Sequence, residues 1–287
     1  MQRMASSYID THPHIISADD GAYPRKPLFG LQSDWSKERP VTIDDLVKAM
    51  DEAGVDKAAI VQASTCYGFD NSYLADAMQA HPGRFTGVGS VDLLAPDAPA
   101  VIRGWVKRGI TGFRVFTGGS TAEFDTSLLD DKRSFPAWET FAADGLSMVV
   151  QTGHVGLAQV AGLAKRFPTV NIILDHLARP DLTDGAPYHK SVQLFAMAAF
   201  ENIYLKITPP VFSKAQVAPA SAQSFFQRLV GDFGAQRIIW GSNFPTSPGS
   251  LLDNLNIAKE CLASLSDEDR HWIFARTAQK LYPSLAD

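Results

Sequence analysis

Four of the seven histidines stand where a chain of alternating strands and helices would gather them at one place. The first apolar run ends Asp10-Thr11-His12-Pro13-His14, the fifth ends Gln151-Thr152-Gly153-His154, and the sixth ends Leu174-Asp175-His176. Residues i and i+2 of a strand project to one face, so His12 and His14 point the same way. Pro13 cannot donate to a ladder, which a strand terminus tolerates. Imidazoles sharing one space suit two chemistries: they bind zinc, manganese or iron, and with an ordinary pKa of about 6.5 they move protons at neutral pH. A hydrolytic site of this kind also needs a base, either a carboxylate or a metal-bound hydroxide. His81, His189 and His271 fall in helical or loop segments and are read as structural.

The elements that must position these groups follow from periodicity. Short apolar runs occur at Tyr8–Ile9, Ala58–Val61, Phe85–Val91, Ile110–Phe116, Ser147–Val150, Val170–Leu174, Ile203–Ile207 and Arg237–Trp240. Between them lie segments of helical period, from Ile43–Ala53 and Ser72–Ala80 through to Leu251–Ala263. Gly54, Gly109 and Gly145 each follow such a segment, where a left-handed residue ends a helix. Strands alternating with helices imply a parallel sheet, and eight units imply closure into a distorted (β/α)₈ TIM-like barrel. An open doubly wound sheet would want a glycine-rich phosphate turn, and Gly118–Gly119 lacks that spacing. Long loops are expected after the first and fourth strands, over residues 16–41 and 117–134, and Ser266–Leu281 either closes the base or packs outside the ring. Residues 1–287 read as a single domain.

Composition narrows the class. Hydrophobic residues make up 45% and charged residues 20% of the 287, enough apolar side chains for a large core. A net charge of −5 offers no electrostatic footprint for nucleic acid or an anionic membrane. Met1–Ser7 shows no secretory pattern, and two distant cysteines, Cys66 and Cys261, make no disulfide framework, so a cytoplasmic protein is expected. A homo-oligomer is compatible with all of this.

The motifs DTHPH (10–14), GFRVF (112–116), LDHLARPD (174–181), YLKIT (204–208) and WGSNFP (240–245) occur in this order across nearly the whole chain. On these residues the chain resembles the amidohydrolase superfamily, in the branch of 2-pyrone-4,6-dicarboxylate lactonase and the sugar-lactone hydrolases. The resemblance implies catalytic roles for His12, His14, His154 and His176, with His12, His14 and His176 as ligands if a divalent zinc or manganese is bound. It implies no obligatory metal, since the pyrone lactonase works without one. The departure is Asn243, where the resembled family places an aspartate as base or metal ligand. An amide takes up no proton near neutral pH and ligates weakly. The base therefore lies elsewhere (a metal-bound hydroxide, His154 or His176), or hydrolysis has been lost, or Asn243 replaces an original Asp.

The same resemblance implies a small anionic substrate held by arginine, because a guanidinium fork matches a carboxylate. Arg114, at the end of the fourth strand, is the first candidate, unless it faces outward in a salt bridge, and Arg179 the second. Lys206 alternates with Tyr204 and Thr208, so it either balances a substrate carboxylate in the lumen or sits in an internal ion pair. Tyr67, after the second strand, is a further substrate-binding candidate, with Tyr23, Phe29 and Trp35 of the long first loop as walls for a planar ring. The expected reaction is hydrolysis of a carboxylated cyclic ester. The alternatives are a metal-dependent decarboxylase of an aromatic or keto acid and a non-catalytic barrel that binds a small ligand.

Overall fold

A computed structural model describes residues 8–286, so Met1–Ser7 lies outside the described residues. Eight strands run β1 (Ile9–Asp10), β2 (Lys57–Val61), β3 (Phe85–Ser90), β4 (Ile110–Phe116), β5 (Ser147–Gln151), β6 (Ile172–Leu174), β7 (Ile203–Ile207) and β8 (Ile238–Trp240). They pair in parallel in that order, each beside its neighbour in sequence. Where β8 returns to β1, the Thr11 amide and hydroxyl both donate to the Trp240 carbonyl, at 3.2 and 2.6 Å. Gly241 permits this closure, because a Cβ there would lie 2.5 Å from the Cβ of His12. The architecture is the (β/α)₈ barrel that the alternation of elements predicts.

Alternate residues of each strand serve two cores. Ile60, Val115, Leu174, Leu205 and Trp240 face outward and pack with Leu46, Trp138, Leu163, Phe226 and Leu255 of the surrounding helices. Ile9, Val61, Val88, Val149, Ile173, Tyr204 and Ile239 face the lumen, where Leu281, Tyr282 and Leu285 meet them. Each large aliphatic side chain so buried is worth about 1.5–3 kcal/mol. The C-terminal segment therefore seals the base of the barrel. Gly112 makes room for it, since a Cβ there would come within 2.9 Å of the Tyr282 ring. With the base sealed and Ser147 Oγ, at the start of β5, spent on the Leu281 carbonyl at 3.2 Å, the polar side chains that reach the mouth come from the C-terminal ends of the strands.

Helices form where the periodicity places them, Ile43–Ala53 and Ser72–Ala80 among them. The first is bounded by a Thr42–Asp45 capping box and by Gly54 at φ 69°. Two segments are more broken than their pattern suggests. Val192–Phe200 resolves into Val192–Ala196 and a 3₁₀ turn, Met197–Ala199, and Ser266–Leu281 contains a π-helical turn at Trp272–Arg276. The long first loop carries a 3₁₀ turn, Leu28–Gly30, and a short α-helix, Asp34–Glu38, which brings Trp35 over the barrel mouth.

Candidate active site

The mouth holds a cavity of about 400 Å³ lined by His12, His14, His176, Arg114, Gln151 and Asn243, among others. Its floor is organised by Asp175, the residue after β6. Strand alternation turns Asp175 inward, two positions past the lumenal Ile173, and Lys206 inward, two past Tyr204. The Asp175 carboxylate lies 2.8 Å from Arg114 Nε, 3.0 Å from Lys206 Nζ and 3.3 Å from His12 Nδ1. These are ion-pair contacts. Asp175 and Lys206 are wholly buried, and Arg114 is nearly so. Burial raises the Asp175 pKa, but Lys206, His12 and Arg114 outweigh it and hold the carboxyl well below its ordinary range. Burial draws Lys206 and Arg114 down, with Asp175 opposing.

The imidazoles stand on this floor. His12 lies with its ring centroid 5.0 Å from that of His14 and 4.8 Å from that of His176. Each has its Nδ1 engaged: His12 beside Lys206 at 3.2 Å, His14 at 2.8 Å from the Val61 carbonyl, and His176 at 2.6 Å from Thr208 Oγ1. A carbonyl only accepts, so His14 carries its proton on Nδ1 and presents an Nε2 lone pair. His12 Nε2 is buried and has no hydrogen-bond partner among the described residues. Burial, reinforced by the neighbouring cations, lowers all three pKa values: His14 to about 3, His176 to about 4, and His12 well below its ordinary value. The site at neutral pH is therefore three neutral imidazoles above an ion-paired floor.

The DTHPH and WGSNFP motifs meet across the barrel seam. Asp10 accepts hydrogen bonds from the His12 amide at 3.0 Å, the Ser242 amide at 2.8 Å and the Ser242 hydroxyl. This fixes the end of β1 against the end of β8, and so His12 against Asn243. Asn243 is buried at φ 53°, a left-handed conformation that asparagine tolerates, and its Nδ2 donates to Ser247 Oγ at 2.9 Å.

After β6 the chain does something unusual for L-residues. His176, Leu177, Ala178 and Arg179 all have positive φ, between 52° and 58°, and the Arg179 amide closes the turn on the His176 carbonyl at 2.9 Å. One left-handed turn brings residues i and i+3 to the same side, so His176 and Arg179 both line the cavity. Arg179 Nη1 donates to the Gly119 carbonyl at 2.7 Å and stacks its guanidinium over Phe124.

Not every residue singled out in the sequence arrives here. His154 follows β5 into a 3₁₀ turn, His154–Gly156, that carries it outward; it is exposed and lines neighbouring clefts, not this cavity. The strand ended at Gln151, so the side chain that enters the site from β5 is Gln151. Tyr67 lies behind the wall, buried, with its hydroxyl accepting from the Ser17 amide at 2.8 Å and from Arg25, and burial pushes its pKa up to about 12. Lys206 lies beneath the cavity as half of an internal ion pair. Asp175, Gln151 and Lys214 had not been singled out. The first two were available from strand alternation, whereas Lys214, on the helix Pro209–Ala215, carried no sequence signal. Trp35 does form a wall, its ring 5.2 Å from that of His14.

His12, Asp175 and His176 offer ligand atoms within 4.8 Å of one another. Three imidazoles, each anchored through Nδ1, and an orphaned His12 Nε2 fit a divalent ion in donor type. Asp175 is already engaged by two cations, which leaves the imidazoles as the available ligands.

Residues 9–284 match the amidohydrolase family model, and the chain belongs to that family. It is 27% identical over 243 residues to an L-fucono-1,5-lactonase of Burkholderia ambifaria, spanning 83% of this chain and 80% of the relative. Among solved structures, the fold matches a Pseudomonas putida protein described as a 2-pyrone-4,6-dicarboxylic acid hydrolase, with a TM-score of 0.77, 21% identity and coverage of 99% and 100% of the two chains. It also matches a Burkholderia multivorans amidohydrolase with bound zinc, at a TM-score of 0.76 and 20% identity over 96% and 99% of the chains.

Proposed function

We propose that this chain hydrolyses a small cyclic ester bearing a carboxylate. The observation that carries the reading is the set of three neutral imidazoles, His12 and His14 buried and His176 partly so, converging on one cavity above Arg114, Asp175 and Lys206. The lactonase and pyrone hydrolase likenesses support the same class. The ester carbonyl sits against His12 and His176, where Lys206 and Arg114 supply a fixed positive field for the oxyanion that forms. His14 Nε2 accepts the proton of the attacking water, the carbonyl C–O bond of the ring breaks, and that proton passes to the departing alkoxide. A histidine held at about 3 is a weak base, but negative charge growing on the substrate beside it raises its proton affinity as the reaction proceeds. Asn243 orients the water without taking its proton.

A divalent ion, zinc or manganese, held by His12, His14 and His176, would take up the His14 Nε2 lone pair in place of its role as base, and would supply Lewis-acid polarisation of the carbonyl. The chain's own floor already provides positive charge, and on this reading the ion is not obligatory.

A panel of lactones assayed with and without chelator tests the reading, on the natural chain and on Asn243→Asp. We expect turnover of a carboxylated lactone, a loss of about a hundredfold or more in His176→Ala and Arg114→Ala, and a gain of about tenfold to a hundredfold in Asn243→Asp. Full turnover in the two alanine variants sinks the mechanism. Carbon dioxide released from an aromatic or keto acid by protein carrying one ion per chain would put a decarboxylase in its place. Binding without turnover in both chains would leave a ligand-binding barrel.

A further inference from the structure

Phe29 and Phe69 are exposed, at 47% and 42%, whereas every other Phe, Tyr and Trp is buried or partly so. Both line one cleft of about 90 Å³ beside the mouth, together with Leu28, Val91, Leu93 and Leu128. Its two charged neighbours leave it apolar: Asp92 is exposed, and Arg114 is held by Asp175. Phe116 and Arg114, from β4, line this cleft and the mouth cavity alike, so the two spaces share that wall. The Phe116 ring lies 6.1 Å from the Phe29 ring and 5.1 Å from the Arg114 guanidinium. Phe29 is held at φ 64°, a left-handed conformation that costs an L-residue steric energy. The turn that holds it is tied by the Gly30 amide to the Pro27 carbonyl at 3.1 Å and by the Lys26 amide to the Cys66 carbonyl at 2.9 Å. Strain that keeps an aromatic ring in water is characteristic of a ligand clamp, and two such rings at one cleft lose their contact with water only when an apolar group enters between them. Pockets for whole small ligands run to about 300–1,000 Å³. A cleft this small takes one substituent of a ligand seated in the mouth, and it has no room for a helix or strand of a partner protein.

We propose that this cleft is an apolar subsite for a short alkyl substituent on the substrate's ring. The ester lies on the imidazoles, and the substituent passes Phe116 to lie between Phe29 and Phe69. This rests on the cyclic-ester reading and adds to it that the substrate carries one apolar arm.

Titration calorimetry in chelator, with ring-carboxylated δ-lactams that carry a methyl or a butyl group beside the ring nitrogen, tests the subsite without turnover. The lactam stands in for the lactone. A fully buried methylene is worth about fourfold in affinity, so we expect the butyl compound to bind the natural chain about tenfold or more tighter than the methyl one. Phe29→Gly and Phe69→Ser should each bring that ratio below about threefold, and Phe69→Leu should restore most of it. Phe69→Ser keeps the test valid if Phe29→Gly shifts the loop. No binding of the butyl compound, a ratio near one in the natural chain, or a ratio that neither substitution lowers overturns the subsite. A dimer in sedimentation that Phe69→Ser dissociates, with a ratio near one, gives the cleft to a second copy of the chain and overturns it as well. A chain-length preference in binding with no lactone turned over leaves the subsite standing and removes the hydrolase. Turnover of methyl and butyl lactones at equal kcat/KM removes the subsite and leaves the hydrolase.

Discussion

The floor and the rim of the cavity carry the same two kinds of cation, and among the described residues only the floor holds a carboxylate in ion-pair contact with them. Arg114 and Lys206 share Asp175 almost wholly out of solvent. Arg179, partly buried, and Lys214, exposed at the edge, rest on backbone carbonyls instead. The difference follows from solvation. A charge cut off from water must be paired before any substrate arrives, whereas one that water still reaches can wait for its partner. The floor is thus settled by folding, while water and backbone carbonyls complete the rim. The left-handed turn joins them, with His176 at one end and Arg179 at the other.

The sharpest way to break the comparison is Asp175→Asn. It leaves two buried cations without a counter-charge, and removing one member of a buried ion pair costs about 3–5 kcal/mol. We expect a loss of that order in urea denaturation together with loss of lactone turnover. Unchanged stability would mean that the floor, like the rim, tolerates unpaired charge. Removing Lys214 at the rim should leave the urea midpoint within about 0.5 kcal/mol of the natural chain.

Acid probes the floor more gradually. His14 and His176 titrate at about 3 and about 4 in the folded chain, against an ordinary value of 6.5. Below pH 6.5 the unfolded chain binds protons that the folded chain refuses, so stability falls with pH and levels off only near 3 to 4. Each histidine contributes a slope of at most about 1.4 kcal/mol per pH unit in that window. Denaturation of chelated protein from pH 7 to pH 4.5 measures this. A flat profile would show that the imidazoles protonate freely while folded.

Much of this was legible beforehand, and the limits have physical causes. Eight apolar runs and the HxH spacing specify the barrel, His12 and His14, because period and alternation are local properties of a strand. Alternation also contains Asp175, whose role depends on the cations it meets in space, and Lys206, whose choice between substrate and internal ion pair needs its partner in space. His154 was misplaced because β5 ends three residues before it, and a strand's end is not set by hydrophobicity. Lys214 and the left-handed turn were illegible: one depends on how a helix sits against a loop, the other on packing that overrides backbone preference. Leu177 and Ala178 are fully buried beneath that turn, and this is what holds it.

The smallest effect tests that hold directly. A non-glycine residue in the left-handed region costs about 1–2 kcal/mol, and glycine avoids this while losing about 0.5–1 kcal/mol of extra chain entropy on folding. Ala178, at φ 53° between the floor histidine and the rim arginine, loses only one methyl on conversion to glycine. Ala178→Gly should therefore raise stability by about 0.5–1 kcal/mol, read as a higher urea midpoint at unchanged slope. If the turn also fixes His176 relative to Arg179, the same variant should lose turnover while it gains stability, because the freed backbone no longer holds imidazole and guanidinium at one spacing. A gain in both would mean that floor and rim are positioned independently. A loss of stability would mean that the methyl packs for more than the backbone strains.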